Sequence, residues 1–125
     1  MVGQARAMAI TVVIVDDDHS FTEIAGDLLR ARGFNVVGEA TTEEEAVTGV
    51  QRLRPDAVLL DVRLGEADGF DVVGRLSIQG TGPAVLLTSS DPNAATGELA
   101  RRSGAVGFVA KEDLARADLV GFFRG

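Results

Sequence analysis

Five short apolar stretches recur along the chain, each followed by a segment of helical pattern, and this alternation narrows the fold more than any other feature. They are residues 9–15 (AITVVIV), 35–40 (NVVGEA), 56–62 (DAVLLDV), 83–89 (PAVLLTS) and 105–110 (AVGFVA). Three of them are nearly unbroken apolar runs, the pattern of parallel strands covered on both faces. The segments between them carry helix boundaries. Ser20 with Glu23 fits a capping box for the first helix, Asp18 before it reads as a loop or capping acid, and Gly33 stands where the helix should stop. Thr42 with Glu45 opens the second, with Pro55 just past its end. Asp68 caps the third; Asp91-Pro92 opens the fourth and Gly104 closes it. Residues 112–123 (EDLARADLVGFF) read as one last helix with acids in its first turn, where the helix dipole favours them. Five strands alternating with five helices predict a doubly wound α/β domain, (βα)5, on a parallel sheet. The 125 residues suffice for one such domain, expected over residues 9–125, with residues 1–8 as a loose leader.

Composition excludes several functions. A net charge of −7 argues against a direct nucleic-acid groove or an anionic membrane surface, since both call for a basic patch. With no cysteine there are no disulfides and no thiolate metal sites. No apolar run reaches the length of a membrane span, and the first residues lack the layout of a signal peptide, so the expected location is the cytoplasm. Eleven of the twelve basic residues are arginine; the one lysine is Lys111.

In a doubly wound sheet the ligand site lies beyond the carboxyl ends of the strands. Asp16 and Asp17 fall at the end of the first strand, Asp61 at the third, Thr88 and Ser89 at the fourth, and Lys111 just past the fifth. Carboxylates gathered at one edge repel each other unless a divalent cation neutralises them, and an all-oxygen set suits Mg²⁺. An aspartate beside such a metal can attack a phosphorus centre. A hydroxyl and an ammonium can hold the remaining phosphoryl oxygens. Lys111 is the one basic position that does not carry arginine, and a compact ammonium is not replaced by a planar guanidinium in a tight phosphate pocket.

The segments IVDDD (14–18), VLLDVRL (58–64), DG (68–69), LLTSS (86–90) and GFVAK (107–111) stand in the order and spacing of a known family. Over roughly residues 10–123 the chain closely resembles the receiver domain of bacterial two-component response regulators. The resemblance implies a flavodoxin-like sheet of strand order 2-1-3-4-5. It implies that Asp61 accepts the phosphoryl group, that Asp16, Asp17, Asp61 and the Arg63 backbone carbonyl hold Mg²⁺, and that Thr88 and Lys111 contact the phosphoryl group. Phe108 takes the place of the family's switch aromatic, which turns inward as the threonine hydroxyl moves. The partners implied are a sensor histidine kinase or histidine phosphotransfer protein and a downstream protein or fused output domain. His19 is read as a position at the start of the first helix, because in this family the donor histidine belongs to the partner.

The chain departs from the family pattern at several positions. Glu112 follows the lysine where proline is common; a cis bond there would cost about 3 kcal/mol, so it is predicted trans. Gly65 stands where proline often follows the acceptor, which predicts a freer loop over the site. Arg63 and Ser90 occupy the two positions that tune phosphoryl lifetime. Of Phe122 and Phe123, one is expected to cover the sheet and the other to be exposed as a face for homodimer or partner contact. Two other functions compete with the switch. A Mg²⁺-dependent aspartyl-phosphate phosphatase commonly carries an acid two residues past its nucleophile, where this chain has Arg63. A degenerate receiver that binds partners without phosphorylation is disfavoured by the retained acids, threonine and lysine. The residues are compatible with a stand-alone regulator and with one part of a longer one.

Overall fold

A computed structural model describes residues 9–77 and 81–124; the leader expected over residues 1–8 lies outside them. The strands are β1 (Thr11–Val15), β2 (Asn35–Ala40), β3 (Ala57–Asp61), the two-residue strands β4 (Arg63–Leu64) and β5 (Ala67–Asp68), β6 (Ala84–Ser89) and β7 (Gly107–Ala110). The helices are α1 (His19–Ala31), α2 (Glu43–Leu53), α3 (Gly69–Leu76), α4 (Gly97–Arg102) and α5 (Leu119–Arg124), with a 3₁₀ segment over Lys111–Arg116. The main sheet is parallel and ordered β2-β1-β3-β6-β7, which is 2-1-3-4-5 once the small β4–β5 hairpin is set aside.

Strand alternation sorts the core into two layers. Val13, Val15, Val58, Leu60, Val85 and Leu87 face α2, α3 and α4 through Ala46, Val50, Val72, Val73, Leu76 and Ala100. Val12, Ile14, Leu59 and Leu86 face α1 and α5 through Ala25, Leu29, Leu119 and Phe123. Both faces of the central strands are therefore apolar, which is why these runs read as continuous. Each fully buried aliphatic side chain contributes roughly 1.5–3 kcal/mol. The strands thus hold their polar carboxyl ends in one rigid row.

Three boundaries differ from the sequence expectation. The cap of α1 is Asp18 rather than Ser20: its carboxylate accepts hydrogen bonds from the Ser20 and Phe21 N–H groups at 3.1 and 3.3 Å, and an anion there also gains from the helix dipole. Asp91-Pro92 makes only a turn, in which Asn93 N–H donates to Asp91 Oδ1; α4 begins later, capped by Thr96. The dipeptide suits a turn as well as a helix start. The last segment divides in two, because Asp118 accepts from the Gly121 N–H at 3.0 Å and starts α5 anew. Thr42 and Asp68 cap α2 and α3 as expected.

The phenylalanines of α5 also correct an expectation. Phe123 is buried and stacks edge-on against Phe34 at 5.6 Å between ring centroids. Phe122 lies over β7, where a Cβ placed on Gly107 would come within 2.5 Å of its ring. Neither ring is an exposed apolar face; in this helix that description fits Val120, which is 48% exposed.

Candidate functional site

The carboxyl ends of β1, β3, β6 and β7 meet at one edge of the sheet. The neighbouring strands are in register there: Val15 lies beside Leu60, Asp61 beside Thr88, and Ser89 beside Ala110. Asp16, Asp17 and Asp61 offer carboxylate oxygens within 4.8 Å of one another. Asp16 is buried, only 1% exposed; Asp61 is buried as well, and Asp17 opens to solvent.

Local hydrogen bonds set the carboxylates. Asp16 Oδ1 accepts from the Asp18 N–H at 2.8 Å, and Asp61 Oδ1 accepts from the Arg63 N–H at 3.1 Å. Asp17 Oδ2 accepts from the Gly65 N–H at 3.1 Å, which ties the loop after β3 back to β1. Gly65 has φ of 60°, the left-handed region that glycine enters without strain. This loop folds into the β4–β5 hairpin, with Arg63 opposite Asp68.

Lys111 lies between the buried acids. Its Nζ is 2.7 Å from Asp16 Oδ2 and 3.4 Å from Asp61 Oδ2. The 2.7 Å approach is a close ion pair, and the ammonium is the one partner of Asp16 Oδ2 among the described residues. The ammonium also stands 4.1 Å from the centroid of the Phe21 ring. Burial draws the lysine pKa down, but the Asp16 and then the Asp61 carboxylates outweigh it, and the net shift is upward. For Asp61 burial pushes the pKa up; the Arg63 N–H opposes it, the charge of Asp16 adds to it and Lys111 opposes it, leaving a net rise.

Thr88 is 1% exposed, and its hydroxyl has no hydrogen-bond partner among the described residues. Its carbonyl accepts from the Val62 N–H at 2.8 Å, joining β6 to the residue after Asp61. Ser89 is spent locally, its hydroxyl accepting from the Asp91 N–H at 3.0 Å. Phe108 is half-buried on β7 and packs against the core layer beneath α2, α3 and α4. His19 lies exposed at the start of α1, 3.6 Å from Glu23. The Lys111–Glu112 peptide bond is trans, as predicted.

The residues collected from the strand ends thus converge, apart from Ser89, which is turned to its own loop. Two contributors are not evident in the strand ends. Phe21 reaches the edge because it sits in the first turn of α1, where the helix leaves the acid pair; an aromatic so near that pair was the available signal. Gly69 is the other. A Cβ there would lie 2.6 Å from the Asp61 carbonyl oxygen and 2.8 Å from the Val62 backbone, so α3 can begin against the end of β3 only with glycine.

Acids, a lysine and a threonine gathered at the carboxyl ends of a 2-1-3-4-5 parallel sheet fit a receiver domain, and the comparisons show that family. The family model for the response regulator receiver domain matches residues 12–121, and the chain belongs to that family. Receiver domains of two-component systems bind Mg²⁺ through acidic residues, accept phosphoryl groups and work with histidine kinases and output domains. The chain is 33% identical over 106 residues to a protein-glutamate methylesterase/protein-glutamine glutaminase of Haloarcula marismortui, covering 84% of this chain and 29% of that protein. It is 41% identical over 80 residues to the DNA-binding response regulator MtrA of Mycobacterium leprae, covering 62% of this chain and 34% of that one. The chain therefore spans about a third of the length of these relatives. Among solved structures, the receiver domain of a response regulator NarL from Mycobacterium tuberculosis superposes with a TM-score of 0.78 at 29% identity, covering 94% of this chain and 98% of that one. Among the described residues no helix is long and apolar enough to cross a membrane.

Proposed function

We propose that the chain is a phosphorylation-activated switch whose phosphoacceptor is Asp61. The observation that carries this is the set of three carboxylates within 4.8 Å, two of them buried, bridged by the chain's one lysine, with Thr88 in register beside Asp61 and its hydroxyl without a partner among the described residues. A site so rich in negative charge and all-oxygen donors fits a hard divalent cation. Asp16, Asp17, Asp61 and the Arg63 backbone carbonyl would hold Mg²⁺, which supplies the counter-charge for the carboxylates and for incoming phosphoryl oxygens.

The rest is the work of the chain. An Asp61 carboxylate oxygen forms a bond to phosphorus as the bond to the donor breaks, whether the P–N bond of a kinase or phosphotransfer-protein phosphohistidine or the P–O bond of a small acyl phosphate. The product is an acyl phosphate on Asp61; water later takes the phosphoryl group and returns the carboxylate. Lys111, whose pKa the resting carboxylates raise, brings its ammonium charge from Asp16 and Asp61 to a phosphoryl oxygen. Thr88 donates its hydroxyl hydrogen to another phosphoryl oxygen. Its displacement frees space beside β7, and Phe108, already half-buried, follows inward and changes the surface offered to an output partner.

Under this reading residues 9–125 are the receiver unit, residues 1–8 a leader, and the protein acts in the cytoplasm as a self-phosphorylating switch, not as a turnover enzyme. Arg63 offers no acid to serve a phosphatase cycle. The test is intact-protein mass spectrometry after incubation with acetyl phosphate, with and without Mg²⁺, beside an Asp61→Asn control. The expected result is a Mg²⁺-dependent, base-labile phosphoryl adduct absent from the control. An unmodified protein with acetyl phosphate and with a panel of histidine kinases would instead favour a phosphorylation-independent binding module.

A further inference from the structure

We propose that Phe21 is a positioning residue for Lys111, holding its ammonium over an aromatic face so that it can pass from the carboxylates to the phosphoryl group. The inference rests on the reading of Lys111 given above. The ammonium has two anionic neighbours, Asp16 Oδ2 at 2.7 Å and Asp61 Oδ2 at 3.4 Å, and the Phe21 ring, with its centroid at 4.1 Å, closes a third side. The Lys111 side chain is only 14% exposed, so little water competes for the same contact. An aromatic face attracts a cation through its quadrupole and has no fixed acceptor direction. The ammonium can therefore slide across it without giving up the interaction. A carboxylate or carbonyl on that side would have anchored the lysine and competed with the phosphoryl oxygens. A leucine would fill the space but leave the cation with no partner there.

The ring itself is held in place. It lies in the first turn of α1, packed against the core layer that contains Ile14, Ala25 and Leu29. The Phe21 N–H is fixed by the Asp18 cap, and Asp18 in turn donates its N–H to Asp16. One short run of chain thus sets both the acid that the ammonium touches and the ring that it rides on.

The single lysine makes the test direct, because its ε-methylene group gives one resonance that no other lysine can obscure. Wild type, Phe21→Leu and Phe21→Tyr are compared by that resonance and by the rate of phosphoryl uptake from acetyl phosphate. The ε-methylene protons should be displaced upfield by the ring in wild type and in Phe21→Tyr, and should return toward the free-lysine position in Phe21→Leu. Uptake by Phe21→Leu should fall roughly fivefold, about 1 kcal/mol, and Phe21→Tyr should rescue it. Equal rates for all three proteins, or a tyrosine variant as slow as the leucine one, would overturn the proposal and leave Phe21 as packing. A wild type that takes up no phosphoryl group would refute the function proposed for the site. The resonance would still decide this inference, and an unshifted signal in wild type would overturn it.

Discussion

Replacing Lys111 with methionine keeps much of the side chain's bulk and removes the one cation between Asp16 and Asp61. The carboxylates it leaves are 1% and 11% exposed at the side chain, each retaining one backbone hydrogen bond through Oδ1. Breaking a fully buried ion pair by deleting one partner costs about 3–5 kcal/mol. The lysine is 14% exposed and both acids keep a donor, so a discounted loss of about 2–3 kcal/mol is expected in metal-free buffer. For a domain of this size that lowers Tm by roughly 10 °C. With Mg²⁺ added the gap should narrow, because a metal at the acids replaces the missing counter-charge and binds the variant more tightly than wild type. Saturation at a hundred times Kd would contribute about 2.7 kcal/mol. Urea unfolding in EDTA and in MgCl₂ is the assay, followed by far-ultraviolet circular dichroism, since the chain has neither tryptophan nor tyrosine for fluorescence. A variant as stable as wild type in EDTA, or a gap that Mg²⁺ leaves unchanged, would refute the idea that Lys111 is the resting counter-ion of this site.

Three further outcomes are expected. Thr88→Val removes a buried hydroxyl that has no partner among the described residues, so it should leave the resting domain equally stable or up to about 1 kcal/mol more stable, while the Phe108 ring resonances no longer respond to phosphorylation; a loss of more than 1 kcal/mol would mean that the hydroxyl is satisfied in the resting state. Gly69→Ala drives a methyl group into the Asp61 and Val62 backbone and should cost about 1–3 kcal/mol in urea unfolding and slow phosphoryl uptake as well; unchanged uptake would separate this contact from the acceptor's placement. The pH dependence of Asp61 has a definite sign. Its folded pKa is raised, so its contribution to stability is present in acid, below the unfolded value, and is lost as pH rises through the folded value. Without metal, Asp61→Asn should therefore match wild type in acid and become the more stable protein as pH rises through that range, and a gap independent of pH would contradict the shift.

The sheet was legible because its central strands are covered on both faces, so a run such as VVIV admits few readings besides a buried parallel strand. The acids, threonine and lysine were legible because a doubly wound sheet delivers strand ends to one edge whatever the helices do in detail. Helix starts were less legible where two residues compete for one role. Asp18 and Ser20 both suit a cap, and the charged one prevails by accepting two N–H groups. Asp91-Pro92 and Asp118 show the same ambiguity, since an aspartate that caps a helix can equally close a turn or restart the chain after a break. Phe21 and Phe122 were hidden for a different reason. Each acts through a contact distant along the sequence, with Lys111 and with Gly107; the nearness of Phe21 to the acid pair marks the ring, but neither periodicity nor spacing names the partner in such a contact.

The resting site is costly as a piece of folding. It buries two carboxylates side by side, raises the pKa of one by desolvation and leaves a threonine hydroxyl without a partner among the described residues. Apolar replacements would relieve each of these, yet the packed layers on either side of the sheet are large enough to tolerate them. Under the proposed function the same features are what a phosphoryl group on Asp61 would satisfy. It would add oxygens for the Thr88 hydroxyl and the Lys111 ammonium and take up the place between the strand ends. The energy withheld in the resting state is then available as a preference for the phosphorylated arrangement, and a switch needs such a difference between its two states. A site already content in its resting form would bind the phosphoryl group without changing shape.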